Sequence, residues 1–187
     1  MKHLLNRSGK QSGLSMIEVL VTMVILMVGM LGLAGLQTQS LRSEMESYQR
    51  VQALILLQDM VGRINANRAN ALSYVTTTLG TPHLGTDNPA GNCAGLVGRL
   101  LDSCEWNNVL LGASEVQAGG RVGAMIGGRG CVTLIDATDQ TYQISVAWQG
   151  LGKTFSQVTN LCGQNLYGND DAQRRVVSLT IRIANLS

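Results

Sequence analysis

The sequence predicts an α+β fold in which one long N-terminal helix, first apolar and then amphipathic, packs on a small antiparallel β-sheet. Residues 14–36 form an almost unbroken apolar run, and the helical pattern that follows meets no proline until Pro82. Closer to the C-terminus, residues 132–136, 142–149 and 176–183 are rich in β-branched and aromatic side chains, which favour strands. A chain of 187 residues has room for one modest globular domain beside such a helix.

The apolar run at residues 14–36 has the length of a membrane-spanning helix. Among its 23 residues only Ser15, Glu18 and Thr22 are distinctly polar. A helix rises about 1.5 Å per residue, so a run of this length spans the roughly 30 Å hydrocarbon core of a bilayer with some tilt. We therefore predict one transmembrane helix.

The basic residues around this run predict its orientation. Three of them precede it, and the next one in the chain is Arg42: Lys2, Arg7 and Lys10. Because basic loops stay in the cytoplasm, the short N-terminus is predicted to be cytoplasmic and the rest of the chain to be outside. A cleaved secretory signal peptide, with Gly32-Leu33-Ala34 as its cleavage site, is the alternative. Its apolar core would span only about 7–15 residues and would not carry an acid near its start.

Glu18 is the one acidic residue of the apolar run. An ionised carboxylate at the centre of a membrane helix costs about 2.5–3.5 kcal/mol, so such residues usually have a partner or a task. A side chain one turn inside the membrane surface can also reach the surface by itself. The sequence favours an intermolecular partner for Glu18.

The helix is predicted to continue through residues 37–68 as an amphipathic segment. The apolar residues that recur near the 3.6-residue period are predicted to form a core stripe against the sheet: Val51, Leu54, Ile55, Met60, Val61 and Ile64. Within the apolar run, glycines fall three residues apart, at Gly29, Gly32 and Gly35. This spacing is typical of close packing between helices, and it also weakens the helix, since each glycine costs about 0.5–1 kcal/mol relative to alanine.

The four cysteines, Cys93, Cys104, Cys131 and Cys162, all follow the apolar run and contain no C-x-x-C pair. This spacing disfavours a zinc site or a thioredoxin-like site and favours disulfides in an oxidising compartment. Four cysteines allow three connectivities. Pairing Cys93 with Cys104 and Cys131 with Cys162 closes two local loops and is favoured, although the other two connectivities stay open.

Residues 80–130 predict a loop-rich region. They hold 12 of the 22 glycines and both prolines, and only residues 96–101 and 109–111 have the apolar content of a short helix or of packed turns. Residues 137–140 are predicted to join two strands as a hairpin. The adjacent Arg174 and Arg175 are interpreted as a solvated strand end.

The last two strands are each predicted to have one buried face. In residues 142–149 every second side chain is apolar, and the same alternation recurs in residues 176–183. The predicted buried residues are these: Tyr142, Ile144, Val146, Trp148, Val177, Leu179, Ile181 and Ile183.

The sequence contains no constellation of residues that predicts catalysis, a metal site or a cofactor. His83 is the only histidine after residue 13, and it lies in a Gly/Pro-rich segment without a convincing nucleophile partner. The chain beyond residue 13 has 11 Lys and Arg residues against 12 Asp and Glu, which gives no basic surface for nucleic acid. We therefore expect a chain that is not an enzyme and that does not bind nucleic acid.

The N-terminal residues Gly13-Leu14-Ser15-Met16-Ile17-Glu18 resemble the class III signal of type IV prepilins and type II secretion pseudopilins. Leu14 and Met16 replace the usual Phe and Leu and stay apolar. The resemblance implies that prepilin peptidase cuts between Gly13 and Leu14 and methylates the new N-terminus at Leu14. It also implies that Glu18, the fifth mature residue, pairs with the terminal ammonium of a neighbouring subunit. The fold it implies is type IV pilin-like.

The C-terminal segment, residues 131–186, resembles the PilV-type minor pilins through a cysteine-initiated strand, the strand from Tyr142 to Gly150 and an apolar last strand. The implied organisation is a leader (1–13), a transmembrane or filament-core helix (14–36), its amphipathic continuation (37–68) and a disulfide-bonded periplasmic head (69–187).

The implied function is that of a minor pilin in an initiation or tip complex that primes pilus assembly and supports adhesion and twitching motility. The implied partners are other minor pilins, the major pilin, prepilin peptidase, the inner membrane and the pilus assembly platform. The implied location is the inner membrane and then the pilus. The alternatives are a minor pseudopilin of a type II secretion system, and a tip adhesin or DNA-uptake pilin.

Overall fold

The computed structural model of the protein describes residues 13, 15–79, 81–112, 116–117, 120–121, 125–155, 158–168 and 170–184. The elements in chain order are α1 (Met16–Ala66), two 3-10 helices (Arg68–Tyr74 and Thr76–Leu79), β1 (Leu84–Gly85), α2 (Arg99–Leu110), β2 (Val116–Gln117), β3 (Gly120–Arg121), β4 (Arg129–Asp136), β5 (Thr141–Gln149) and β6 (Arg174–Arg182). The chain divides into two compact units, Met1–Ser43 and Glu44–Ser187. The second unit contains the end of α1 and the sheet.

The main sheet has four antiparallel strands in the order β1-β4-β5-β6. Strands β4 and β5 form the predicted hairpin, and β5 pairs along its whole length with β6. Ile144 at the centre of β5 lies between Val132 on β4 and Leu179 on β6. An α+β fold with a long N-terminal helix on an antiparallel sheet is therefore confirmed.

The core of the second unit lies between α1 and the sheet. Helix α1 contributes Ala53, Leu57 and Ile64, each at most 2% exposed, and the sheet contributes Val132 and Ile144. Their spacing on α1 follows the helical period, so one face of the helix is buried. Burial of large aliphatic side chains contributes about 1.5–3 kcal/mol each, which makes this contact the main source of stability in the unit.

The predicted core stripe on α1 is wrong in its first half. Val51, Leu54 and Ile55 are 42–53% exposed, whereas the neighbouring Ala53 and Leu57 are buried. The end of the stripe, Met60 and Ile64, lies in the core as predicted. Apolar residues occupy two faces of the helix in residues 45–55, so the periodicity alone did not identify the face that meets the sheet.

Strand β5 is buried on both faces over Ile144–Trp148, not on one face as its alternation predicted. The second face is covered by the chain between β5 and β6. Ala147 packs there with Tyr167 and the Cys131–Cys162 disulfide, and Asn160 donates to the Ser145 hydroxyl at 2.9 Å. Small residues on this face leave the space that the connection fills.

Helix α2 spans residues that were predicted to be mostly loop. Its central residue Trp106 is fully buried and donates its indole N–H to the carbonyl of Leu56 on α1 at 2.9 Å. Gly130 on β4 lies directly below this ring, because a Cβ atom at Gly130 would be 2.2 Å from Cη2 of Trp106. The residues around Trp106 are mostly polar, so the sequence did not show the apolar spacing that indicates a helix.

Arg174 and Arg175 do not form a solvated strand end. The Arg174 side chain is 1% exposed, and its Nε lies 3.2 Å from Oδ2 of Asp171. Arg175 is 17% exposed and lies 3.3 Å from Glu46 on α1. The predicted buried face of β6 is also incomplete, since Leu179 is 43% exposed.

The structure contains two disulfides, Cys93–Cys104 and Cys131–Cys162, which are the pairs that the local-loop argument favours. The first fastens the segment before α2 to that helix. The second joins the start of β4 to the connection that covers β5.

Removal of each disulfide is expected to destabilise the second unit, more so for Cys131–Cys162. The bonds close separations of 11 and 31 residues, for which the chain-entropy relation gives about 3 and about 4 kcal/mol. The measurement is the urea midpoint of the purified full chain carrying Cys93→Ala and Cys104→Ala, compared with Cys131→Ala and Cys162→Ala. Equal midpoints in both variants and the parent protein would contradict a structural role for the bonds.

Candidate functional site

The first part of α1 presents an unbroken apolar surface that no described residue covers. From Met16 to Leu36 every large apolar side chain is 41–90% exposed. The most apolar window has a mean hydropathy of 2.5 and no buried residue, so this helix is long and apolar enough to cross a membrane. A surface of this extent requires lipid or other protein around it.

The polar groups within this apolar helix are mostly satisfied by the helix itself. The hydroxyls of Thr22 and Thr38 donate to the carbonyls of Val19 and Ala34 at 2.8 and 3.0 Å. In an apolar environment such bonds remove the cost of a free hydroxyl.

Glu18 lies in the first turn of α1, where its own N–H donates to the carbonyl of Ser15 at 3.0 Å. A carboxylate in the first turn interacts favourably with the helix dipole. The Glu18 side chain is exposed and forms no ion pair with any described residue. Of the predicted processing residues, Gly13 is exposed and Leu14 lies outside the described residues.

The three glycines of the apolar segment pack against none of the described residues. A Cβ atom added at Gly29, Gly32 or Gly35 would meet nothing within 4 Å, and α1 is continuous through all three positions. Small residues at this spacing are typical of helices that other helices approach closely.

A second apolar surface runs along the outer face of α1 in the second unit. It consists of four side chains that are 53–55% exposed: Met45, Tyr48, Val51 and Ile55. They recur at helical spacing on the face opposite the sheet. We call these four residues the outer stripe. The sequence shows the apolar residues of the outer stripe, but the periodicity assigned two of them, Val51 and Ile55, to the core.

The connection between β5 and β6 is fastened to α1 next to the outer stripe. Arg175 donates to Glu46 at 3.3 Å and to the carbonyl of Gly152 at 2.9 Å, and the Gly152 N–H donates to Glu46 at 3.3 Å. These three groups fix the position of the loop against the helix. Nothing in the sequence pointed to this contact, because Glu46 and Arg175 are 129 residues apart.

His83 lies beside the ion pair between Asp87 and Arg129. Its Nε2 lies 3.0 Å from the carbonyl oxygen of Thr86 and 3.5 Å from Oδ2 of Asp87. Asp87 accepts two bonds from Arg129, at 2.6 and 3.0 Å, and the Arg129 guanidinium stacks 4.8 Å above the Tyr167 ring. The cluster joins β1, β4 and the connection before β6.

The hydrogen bond and charge of Arg129 hold the pKa of the Asp87 carboxyl below its ordinary value, and burial opposes them. Its stabilising contribution is therefore complete above about pH 4 and is lost as the pH falls through the lower folded-state pKa. Burial raises the pKa of the Tyr167 hydroxyl to about 12. Among the described residues, no group of three or more His, Cys, Asp or Glu side chains is placed to hold a metal.

Asp87→Asn is expected to lower the free energy of unfolding by about 1 kcal/mol at pH 7, a small value because the Asp87 side chain is 56% exposed. At pH 2.5 the difference in stability should be smaller, because the parent carboxyl loses its charge as the pH falls through its lowered pKa. Urea unfolding at both pH values checks this. A difference that stays constant or grows on acidification would refute the ion-pair account.

Comparison with protein families matches two consecutive segments of the chain. The prokaryotic N-terminal methylation motif matches residues 8–34, and the type IV pilin Tt1218 family matches residues 35–97. The chain is a type IV pilin-like protein. The first match contains the Gly13–Glu18 signal, and the second contains the outer stripe, the end of α1 and Cys93. No curated protein and no solved structure matches the chain.

The family matches explain why the pilin-like protein exposes an apolar helix. Pilins are structural subunits that prepilin peptidase processes and that assemble into pili. An exposed apolar helix is the surface that such a subunit needs, first in the membrane and then among neighbouring subunits. The N-terminal apolar helix and the class III prepilin signal together support membrane anchoring and a place in the pilus.

Proposed function

We propose that this pilin-like protein is a minor pilin of the PilV type, which joins other minor pilins in an initiation or tip complex and primes assembly of the major pilin. The observation that carries the proposal is the continuity of α1, since one helix runs from the first family match into the second and is followed by a disulfide-bonded head. In this role the protein supports adhesion and twitching motility.

The proposed maturation begins with cleavage between Gly13 and Leu14 by prepilin peptidase at the cytoplasmic face of the inner membrane. The same enzyme methylates Leu14. Glu18 then pairs with the terminal ammonium of a neighbouring subunit. Two charges that are each costly in lipid become one neutral pair on assembly, which sets the register between subunits.

The outer stripe supports the proposal that the second unit also takes part in assembly. Met45, Tyr48, Val51 and Ile55 expose more than half of their surface, although they lie on a helix whose opposite face is already buried. An exposed apolar row next to a satisfied core is typical of a surface that meets another protein. In the proposed function it contacts the helix of an adjacent pilin.

The test is a clean deletion of the coding sequence with complementation by the full chain. We expect surface pili, measured by the amount of major pilin in the sheared fraction, to fall at least tenfold and to recover with the complementing copy. Twitching zones should shrink in parallel. Complementation with a Cys131→Ala and Cys162→Ala variant tests whether the folded head is needed.

Unchanged pilus number and length in the deletion strain would overturn the proposal. Loss of secreted enzymes with normal pili would instead identify a pseudopilin of a type II secretion system. Normal pilus number with loss of surface attachment would identify an adhesin that acts after assembly.

A further inference from the structure

A small cavity lies in the second unit where α1, the connection after β5 and the start of β6 meet. Its volume is about 270 Å³, which is smaller than most ligand pockets and leaves room for a side chain. No aspartate or glutamate is among the described residues that line it. Most of its wall is formed by three arginines, two aromatic residues and one valine: Arg50, Arg174, Arg175, Trp148, Phe155 and Val176.

Two of the three arginines have counter-charges outside the lining of this cavity. Arg174 Nε lies 3.2 Å from Oδ2 of Asp171. Arg175 Nη2 lies 3.3 Å from Oε1 of Glu46. The Arg50 side chain is exposed and forms no hydrogen bond or ion pair with any described residue. The cavity therefore carries an uncompensated positive charge at Arg50 and is complementary to an anion.

Phe155 adds an apolar contact at the same cavity. Its side chain is 89% exposed, more than any other large apolar side chain of the second unit among the described residues. The loop that carries it is fixed, because the Thr154 N–H donates to the carbonyl of Ala172 and the Thr154 hydroxyl accepts from Arg175, both at 2.7 Å. A ring held at the surface in this way offers contact to the apolar part of a ligand.

The backbone of Val176 supplies hydrogen-bonding groups beside the cavity. The Gly150 N–H donates to the carbonyl of Gln173 at 2.8 Å, and the register between β5 and β6 is unbroken from there. The odd-numbered residues of β6 therefore bond to β5, and the N–H and C=O of Val176 point away from it. These two groups bond to no described residue. A ligand at this edge of the sheet can pair with them as a strand does.

We propose that this cavity binds an acidic peptide segment of a partner protein, with a Glu or Asp side chain on the Arg50 guanidinium. Each feature matches one part of such a ligand. The guanidinium takes the carboxylate, the Phe155 ring takes a neighbouring apolar side chain, and the Val176 backbone takes the amide groups. A small anion such as inorganic phosphate offers only the first of these. The proposal concerns the head alone and does not depend on the minor-pilin role.

The test uses Phe155 as its own reporter, since it is the single phenylalanine of the chain. The full chain is produced with para-fluorophenylalanine, purified in dodecyl maltoside at low salt and followed by fluorine NMR. The probe is the tripeptide Leu-Glu-Leu with acetyl and amide ends, and its neutral match has Gln in place of Glu. We expect the Glu peptide to shift the resonance saturably, and the Gln peptide to require roughly fivefold higher concentration or more.

Arg50→Gln removes the proposed charge and should weaken binding of the Glu peptide to the level of the Gln peptide. Because Arg50 has no described partner, the thermal midpoint should not change. Arg42→Gln is the matched control, since Arg42 is an exposed arginine of the same helix that is not among the residues lining the cavity. This control variant should bind the Glu peptide as the parent protein does.

The proposal fails on any of three outcomes. The first is equal binding of the two peptides, as partition of their leucines into the detergent would produce. The second is unchanged binding of the Glu peptide to Arg50→Gln. The third is an equal shift of the resonance by inorganic phosphate at the same concentration, which would identify a general anion site without preference for peptides.

Discussion

Glu18→Ala is expected to remove this protein from sheared pili while leaving its processing intact. The amount in the filament fraction should fall at least tenfold, and the amount of processed chain in membranes should stay the same. The measurement is an immunoblot of both fractions, with intact mass to check cleavage and methylation.

The expected effect is large because of where the charge lies. Glu18 is on the exposed apolar surface of α1 and forms no ion pair with a described residue, and the proposed function assigns its partner to a neighbouring subunit. Without the carboxylate, an incoming subunit has an ammonium with no counter-charge in an apolar environment, which costs several kcal/mol. A cost near 3 kcal/mol corresponds to roughly a hundredfold change in an equilibrium constant.

Glu44→Ala is the matched control, because Glu44 lies on the same helix, is exposed and follows the apolar segment. It should enter pili normally. Normal incorporation of Glu18→Ala would exclude the charge-pair account, and equal loss for both variants would assign the effect to helix charge in general.

Trp106→Ala is expected to cause the largest loss of stability of any single core change, about 3–5 kcal/mol. The ring is fully buried between α2, α1 and β4, and its N–H satisfies the carbonyl of Leu56. The change leaves a cavity and also an unpaired acceptor on α1. The measurement is urea unfolding of the purified full chain in detergent, followed by circular dichroism.

Gly130→Ala tests the same contact from the sheet side. The added methyl group would lie 2.2 Å from Trp106 Cη2 and 2.7 Å from Leu110 Cδ1, so both side chains must move. We expect a loss of about 1–3 kcal/mol. In the Trp106→Ala background this loss should shrink by about 1 kcal/mol or more, because the methyl group enters the vacated space.

Gly152→Ala is the control for the glycine change, since nothing lies within 4 Å of its added Cβ. Its stability should match the parent protein. If Gly130→Ala is as stable as Gly152→Ala, or if the two core changes add without coupling, the contact between Trp106 and Gly130 is not as tight as described.

The sequence predicted the elements that have a strong local signal. Local composition and the spacing of apolar residues are enough to predict the apolar run, the hairpin at residues 137–140 and the strand at 142–149. These signals do not depend on the rest of the fold. The bounds of α1 and β5 differ from the predicted ones by two residues or fewer. The exposed surface around Glu18 also follows from local composition.

Other features depend on contacts distant in sequence and were missed for that reason. Helix α2 is stabilised by one tryptophan that inserts between α1 and β4, while its polar neighbours resemble loop residues. The burial of Arg174 depends on Asp171 and on the carbonyl of Asn160, which accepts a bond at 2.7 Å. The outer stripe was misassigned because α1 is apolar on two faces and only the sheet distinguishes them.

The core contact between α1 and β5 also determines when this chain can fold. Ile144 lies 80 residues after Ile64, although both belong to one core cluster. Synthesis adds about 5–20 residues per second, so roughly 4–16 seconds pass between the synthesis of Ile64 and that of Ile144. During this time the face of α1 that will be buried has no partner strand. Strand β6 (Arg174–Arg182) is synthesised later still. The sheet can close only after β6 has been synthesised, so the newborn chain depends on protection of the apolar face of α1 until then.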